Sequence, residues 1–256
     1  MHFLCNRHCP QLTELNLFAR RNLTASNLHQ IAIYCPNLQR LDLSFSTSSS
    51  FSALTMLTNI TDLTLCETRI GDSDVQILQT LSNLTRLDVE ATCLSGTGLT
   101  ELLMKLTKLR HLNASNLYFD QQSRTCFMLI INITNCYTWH PCCTISNDKM
   151  SKSEKKILFA GKGDFLALCT SLVWLSLERI SLLMPSAYEN LGLCTNLKFL
   201  DLSFTHTQDQ HLELFIPALT GLESLTLAGT FITDEGLKVN ISHIYFHRSL
   251  SPDDNI

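Results

Sequence analysis

The sequence predicts an α/β solenoid: stacked coils that each contribute one short strand to a parallel concave sheet and a turn or short helix to the convex side. Three observations predict it. The block L-x-x-L-x-L, clearest in Leu222-Glu-Ser-Leu225-Thr-Leu227, occurs eight times. Beyond each block the aliphatic spacing lengthens, as in Ile232-Thr-Asp-Glu-Gly-Leu237, so a half-buried strand gives way to a turn and a helix. A unit this small cannot bury its apolar face alone and must stack on its neighbours.

The blocks start at Leu12, Leu38, Ile60, Leu84, Leu109, Leu172, Leu197 and Leu222, with successive spacings of 26, 22, 24, 25, 63, 25 and 25. On these residues the chain resembles the leucine-rich-repeat proteins, over roughly residues 9–117 and 163–238. The unit of about 25 residues is similar to the cysteine-containing type. That resemblance implies a curved horseshoe. The organisation expected is N-terminal repeats over 1–123, an insertion over 124–161, C-terminal repeats of the same solenoid over 162–238, and an irregular tail over 239–256.

In the third repeat, Ile70-Gly-Asp72-Ser-Asp-Val75-Gln-Ile-Leu78-Gln-Thr-Leu81 offers a polar N-cap followed by apolar residues three apart, which predicts a short convex helix. Leu94 to Leu99 and Ile232 to Leu237 repeat the device. Thr68, Thr92, Thr205 and Thr230 recur at the turn after the strand, where a hydroxyl can bond backbone groups leaving the sheet. Cys9, Cys35, Cys169 and Cys194 each stand three residues before a first leucine, a position that suits a small buried hydrophobe. With eleven cysteines, an odd number, and no secretion signal, buried thiols are favoured over disulfides.

The fifth repeat is interrupted: the next begins 63 residues on where about 25 is usual. A long insertion of this kind is a functional loop, a disordered stretch or translated non-coding sequence. It contains Cys136, His140, Cys142 and Cys143, whose spacing lacks a C-x-x-C pair and does not favour a metal site. Val239-Asn240 breaks the eighth repeat in a similar way.

Hydrophobic content of 45% supplies a core, and a net charge of −4 argues against nucleic acid as a partner. The longest uninterrupted apolar run noted, Phe127 to Ile131, is far short of the roughly 20 residues that span a membrane. No apolar signal segment opens the chain, so a cytoplasmic or nuclear location is expected. The sequons at Asn22, Asn59, Asn83, Asn113, Asn132 and Asn240 support an extracellular alternative. Several of them coincide with the repeat's own preference for Asn before, and Thr after, the first leucine.

No nucleophile–base grouping or phosphate-binding loop is present, so neither enzymatic activity nor a cofactor is expected. Function is expected on the concave face, where residues alternating with the leucines point outward. Those lanes hold seven acidic residues against two arginines, Arg40 and Arg86, which suits a basic protein or peptide. Trp174 and Phe199 share a lane in consecutive repeats, with Glu178 and Asp201 nearby, the profile of an aromatic anchor with a charged rim. The candidate protein-binding residues are Trp174, Phe199, Glu178, Asp201, Arg86, Asp88 and His111. The resemblance extends to the substrate-recognition repeats of F-box and other cullin–RING ubiquitin-ligase receptors, and implies ligase components as further partners. The sequence holds no recognisable F-box or elongin-binding box.

Overall fold

A computed structural model describes residues 8–48, 50–117, 164–180, 185–238 and 245–247. Within them nine parallel strands form one open sheet in chain order. They are β1 (Glu14–Asn16), β2 (Arg40–Asp42), β3 (Asp62–Thr64), β4 (Arg86–Asp88), β5 (His111–Asn113), β6 (Trp174–Ser176), β7 (Phe199–Asp201), β8 (Ser224–Thr226) and β9 (Tyr245–His247). The first eight are the third to fifth residues of the L-x-x-L-x-L blocks. Pairing carries no offset, so Leu15, Leu41, Leu63, Leu87, Leu112, Leu175, Leu200 and Leu225 stand in one row. The first and sixth residues of the blocks run beside that row, and all three rows are buried through most of the solenoid. Because β5 pairs directly with β6, the extra chain of the fifth repeat leaves the ladder intact. The insertion itself, with Cys136, His140, Cys142 and Cys143, lies outside the described residues.

Strand β9 corrects one expectation. It falls in the segment predicted as an irregular tail, yet Phe246 pairs with Leu225 and extends the sheet. A parallel ladder needs only backbone groups, and no leucine block announces this strand.

The second layer is made of short helices, α1 (Ala25–Tyr34), α2 (Val75–Leu78), α3 (Gly96–Leu103), α4 (Pro185–Leu191) and α5 (Asp209–Phe215), with 3-10 turns between them. Thr24 caps α1 by accepting the Asn27 amide at 3.1 Å, and Asn27 Oδ1 accepts the Thr24 amide in return. The predicted helix of the third repeat forms as a 3-10 turn, Asp72–Asp74, running into α2. Asp72 then reaches into the next repeat, accepting the Ser95 amide at 2.8 Å and its hydroxyl at 2.6 Å at the start of α3. A Cβ on Gly98 would stand 2.0 Å from Asp72 Oδ1, so any larger residue there must push the Asp72 carboxylate aside. Asp209 and Thr233 make the same bridge two repeats from the other end, and the two hydroxyl and amide bonds hold the Asp209 carboxyl below its ordinary range. Gly98→Ala should gain about 1 kcal/mol of helix propensity. It should lose more than that, about 1.5–3 kcal/mol, in charged hydrogen bonds. The expected net result is a loss of about 1 kcal/mol on urea unfolding.

A row of left-handed residues closes β1 to β8. Ala19, Phe45, Glu67, Ala91, Asn116, Arg179 and Phe204 have φ between 50° and 57°, and Gly229 has 62°. Except at Asn and Gly this conformation costs an L-residue about 1–2 kcal/mol. It is held by the neighbouring coil: the amide of each of the seven non-glycine residues donates to the next repeat, as in Ala19 to Ser44 at 2.8 Å and Phe204 to Ala228 at 2.7 Å. Replacing Ala91 by Gly should therefore stabilise the fold, by about 0.5–1 kcal/mol after the entropy of the unfolded glycine is subtracted. A higher thermal midpoint for Ala91→Gly is the result to look for.

The threonines act as expected. Thr68, Thr92, Thr205 and Thr230 donate to the carbonyls of Leu65, Val89, Leu202 and Leu227 at 2.6–2.8 Å. Asn37, Asn59, Asn83 and Asn196 donate their side-chain amides to carbonyls one repeat back, at 2.8–3.2 Å. That ladder is the physical reason the repeat favours Asn before the first leucine. Cys9, Cys35, Cys169 and Cys194 are thiols packed in or against the core. Burial pushes the Cys194 thiol up to about 12 and Cys169 well above its ordinary value. Cys93 departs from the expectation and is disulfide-bonded.

Candidate protein-binding face

On the open side of the sheet, the third, fifth and seventh residues of each block form three lanes. In the fifth lane, short acids and amides serve the turn first. Asn16, Asp42, Asp88, Asn113 and Asp201 each accept the backbone amide two residues on, at 2.8–3.1 Å, which is the local bond that short polar side chains favour at turns. Asp88 and Asp201, expected as contact residues, thus each commit one carboxylate oxygen to the fold. The second oxygen of Asp88 accepts the Asn113 amide at 3.1 Å, and Glu90 accepts both Asn113 and Asn116, at 3.1 and 2.9 Å.

In the third lane the two arginines are already occupied. Arg40 pairs with Glu14 and Arg86 with Asp62, each one strand back. Arg86, expected as a contact residue, thus meets a partner as half of an exposed ion pair and not as a lone cation. His111 stands in register between Arg86 and Trp174. Burial, with help from Arg86, lowers its pKa below the ordinary histidine value, and its Nδ1 is out of solvent without a hydrogen-bond partner.

Trp174 and Phe199 come together as expected. Their rings stack with centroids 5.0 Å apart and planes 5° from parallel, half-buried on the open face. Glu178 pairs with Arg179 at 2.8 Å. Burial raises the Glu178 carboxyl above its ordinary range; Arg179 pulls it back, and the charges of Asp201 and Glu90 add to the rise. The Asp88 carboxyl is raised for the same first reason, burial, against the opposing pull of the Glu90 and Asn113 bonds. The Cys66 thiol is pushed up to about 12 by burial and then by the charges of Glu90, Asp88, Glu67 and Asp42.

Sequence reasoning missed an aromatic rim beside this patch. Phe204 is 49% and Phe231 61% exposed, the Arg179 guanidinium lies 4.7 Å above the Phe204 ring, and His206 stacks on Phe231 at 5.9 Å. Phe204 occupies the left-handed turn position, whose outward aim follows from backbone conformation that leucine spacing does not report. Among the described residues no group of His, Cys, Asp and Glu is arranged to hold a metal, and no helix is long and apolar enough to cross a membrane.

Two solved structures share the architecture. Internalin C2 of Listeria monocytogenes aligns over 93% of this chain and 80% of its own, with 19% identity and a TM-score of 0.53. The chain has the leucine-rich-repeat fold. A leucine-rich-repeat protein of Leptospira interrogans aligns over 86% of this chain and 45% of its own, with 16% identity and a TM-score of 0.52. At such identities the likeness concerns the fold. No family model matches the chain, and no curated protein matches it.

Proposed function

We propose that this leucine-rich-repeat chain is a non-enzymatic scaffold that binds a basic segment of another protein on the open face of its sheet, anchored at Trp174 and Phe199. The observation that carries this is the stacked, half-buried aromatic pair beside an acid-rich patch of Asp88, Glu90, Glu178 and Asp201, of which Glu178 is paired with Arg179. Both arginines of the third lane are neutralised locally, so the field that a partner meets is negative. The test is affinity capture from cell extract on immobilised wild-type chain and on Trp174→Ala. A basic protein held by the first and not by the second, and eluted by salt, is expected; identical captured sets would overturn the reading.

The cysteine-containing repeat type supports a finer role, the substrate-recognition part of a cullin–RING ubiquitin-ligase receptor in the cytoplasm or nucleus. Recovery of a cullin with the full-length gene product tests it. One observation favours a second reading, a recognition ectodomain: Cys93 is disulfide-bonded. Thiol titration of the native, cell-derived protein separates the two, since a ligase receptor in a reducing compartment shows every cysteine reactive after denaturation.

A further inference from the structure

The acids of the open face are spaced in a way that defines the partner more closely. Asp88, Asn113, Ser176 and Asp201 stand in one register across β4 to β7. Adjacent strands lie about 4.8 Å apart, so the three steps from Asp88 to Asp201 cover about 14 Å. An extended chain rises about 3.4 Å per residue, so four residues cover the same distance. Because extended side chains alternate in direction, residues four apart also point to the same side. A helix, rising about 1.5 Å per residue, would need about nine residues to match the span.

Each end of this span carries a pair of acids. Glu90 follows Asp88 at the β4 end; Glu178 and Asp201 share a field at the β6–β7 end. The middle of the lane, Asn113 and Ser176, is uncharged. At the second end the aromatic stack lies one lane away, where an arginine or lysine can lay its stem or charged head over the indole. Resting on the open-face reading above, we propose that the partner contributes an extended segment lying across β4–β7, with two cationic side chains four residues apart. One sits against Asp88 and Glu90, which the Asn113 amide already bridges, the other against Asp201 and the Glu178–Arg179 pair beside Trp174. A cation placed at either end gains attraction and offsets the repulsion that Glu90 exerts on Asp88 and that Asp201 exerts on Glu178, where it competes with Arg179.

The experiment uses fluorescein-labelled nine-residue peptides on a Ser/Gly/Ala background, titrated into the full chain and read by anisotropy. Arginines are placed two, three, four or five apart, with glutamates four apart as the control. The four-apart arginine peptide is expected to bind at least tenfold tighter than the three- and five-apart peptides, which send one arginine to the wrong side. Glu90→Gln keeps the side-chain shape and one of the two oxygens that accept Asn113 and Asn116, and Glu178→Gln keeps the shape while giving up the pair with Arg179; the leucine rows are untouched, so the fold should survive, as circular dichroism would verify. Each should weaken the four-apart peptide several-fold and leave a single-arginine peptide that uses the other end unchanged. Equal affinity for the three- and four-apart peptides, or binding no tighter than the glutamate control, would overturn the spacing. If Trp174→Ala still abolishes capture from extract, the open-face reading survives that loss; if capture is unchanged, the fault lies with the face itself.

Discussion

Leu200→Ala is expected to lower the free energy of unfolding by about 2–5 kcal/mol, the largest effect of any single truncation considered for this chain. Leu200 is fully buried, and in register it touches the leucine row on both sides, Leu175 and Leu225. In a solenoid each coil is stabilised by the coils beside it, so a cavity in the shared row weakens two interfaces at once. The flanking strands are tied to β7 by their backbone ladder and cannot close in to refill the space without breaking it. Urea unfolding followed by circular dichroism reads the change. A loss below about 1 kcal/mol would mean that the site relaxes freely, contrary to a row packed by register.

Trp174→Ala should weaken partner binding by about 2 kcal/mol or more, close to thirtyfold in Kd, while costing the fold less than that. The two numbers separate because the indole is half-buried on the outer surface of the sheet and its main neighbour is another surface ring, Phe199. Such a stack contributes about 0.5–1.5 kcal/mol within the free chain, whereas in a complex the whole ring would be desolvated. Isothermal titration of the captured partner against both proteins, with a thermal melt of each, gives both quantities. A mutant that loses stability and affinity in equal measure would demote Trp174 from anchor to scaffold.

The leucine rows were legible because burial selects side chains with a period, and the period appears in the sequence. The pairing of Trp174 with Phe199 was legible for the same reason, since both hold the third place of adjacent blocks. Other features depend on partners a whole coil away. Arg86 looks available in its own repeat; only the structure shows Asp62, 24 residues earlier, taking it. Asp88 and Asp201 look like surface charge, yet each holds a turn amide. The left-handed row leaves almost no trace, because Ala, Phe, Glu and Arg occupy it against their own preference and only Asn116 and Gly229 hint at it. Strand β9 carries no leucine block, and the disulfide state of Cys93 is not a matter of spacing.

That left-handed row has a further consequence. Its conformation is enforced from the next coil through the main chain, so the turn forms with several kinds of side chain, at a cost of about 1–2 kcal/mol where the residue is neither Asn nor Gly. Ala19, Phe45, Glu67, Ala91, Asn116, Arg179 and Phe204 therefore form a margin on which one fold accommodates methyl, aromatic, acid, amide and guanidinium groups. A molecule built this way can be given new contacts along one border by single substitutions, with its leucine interior left unaltered.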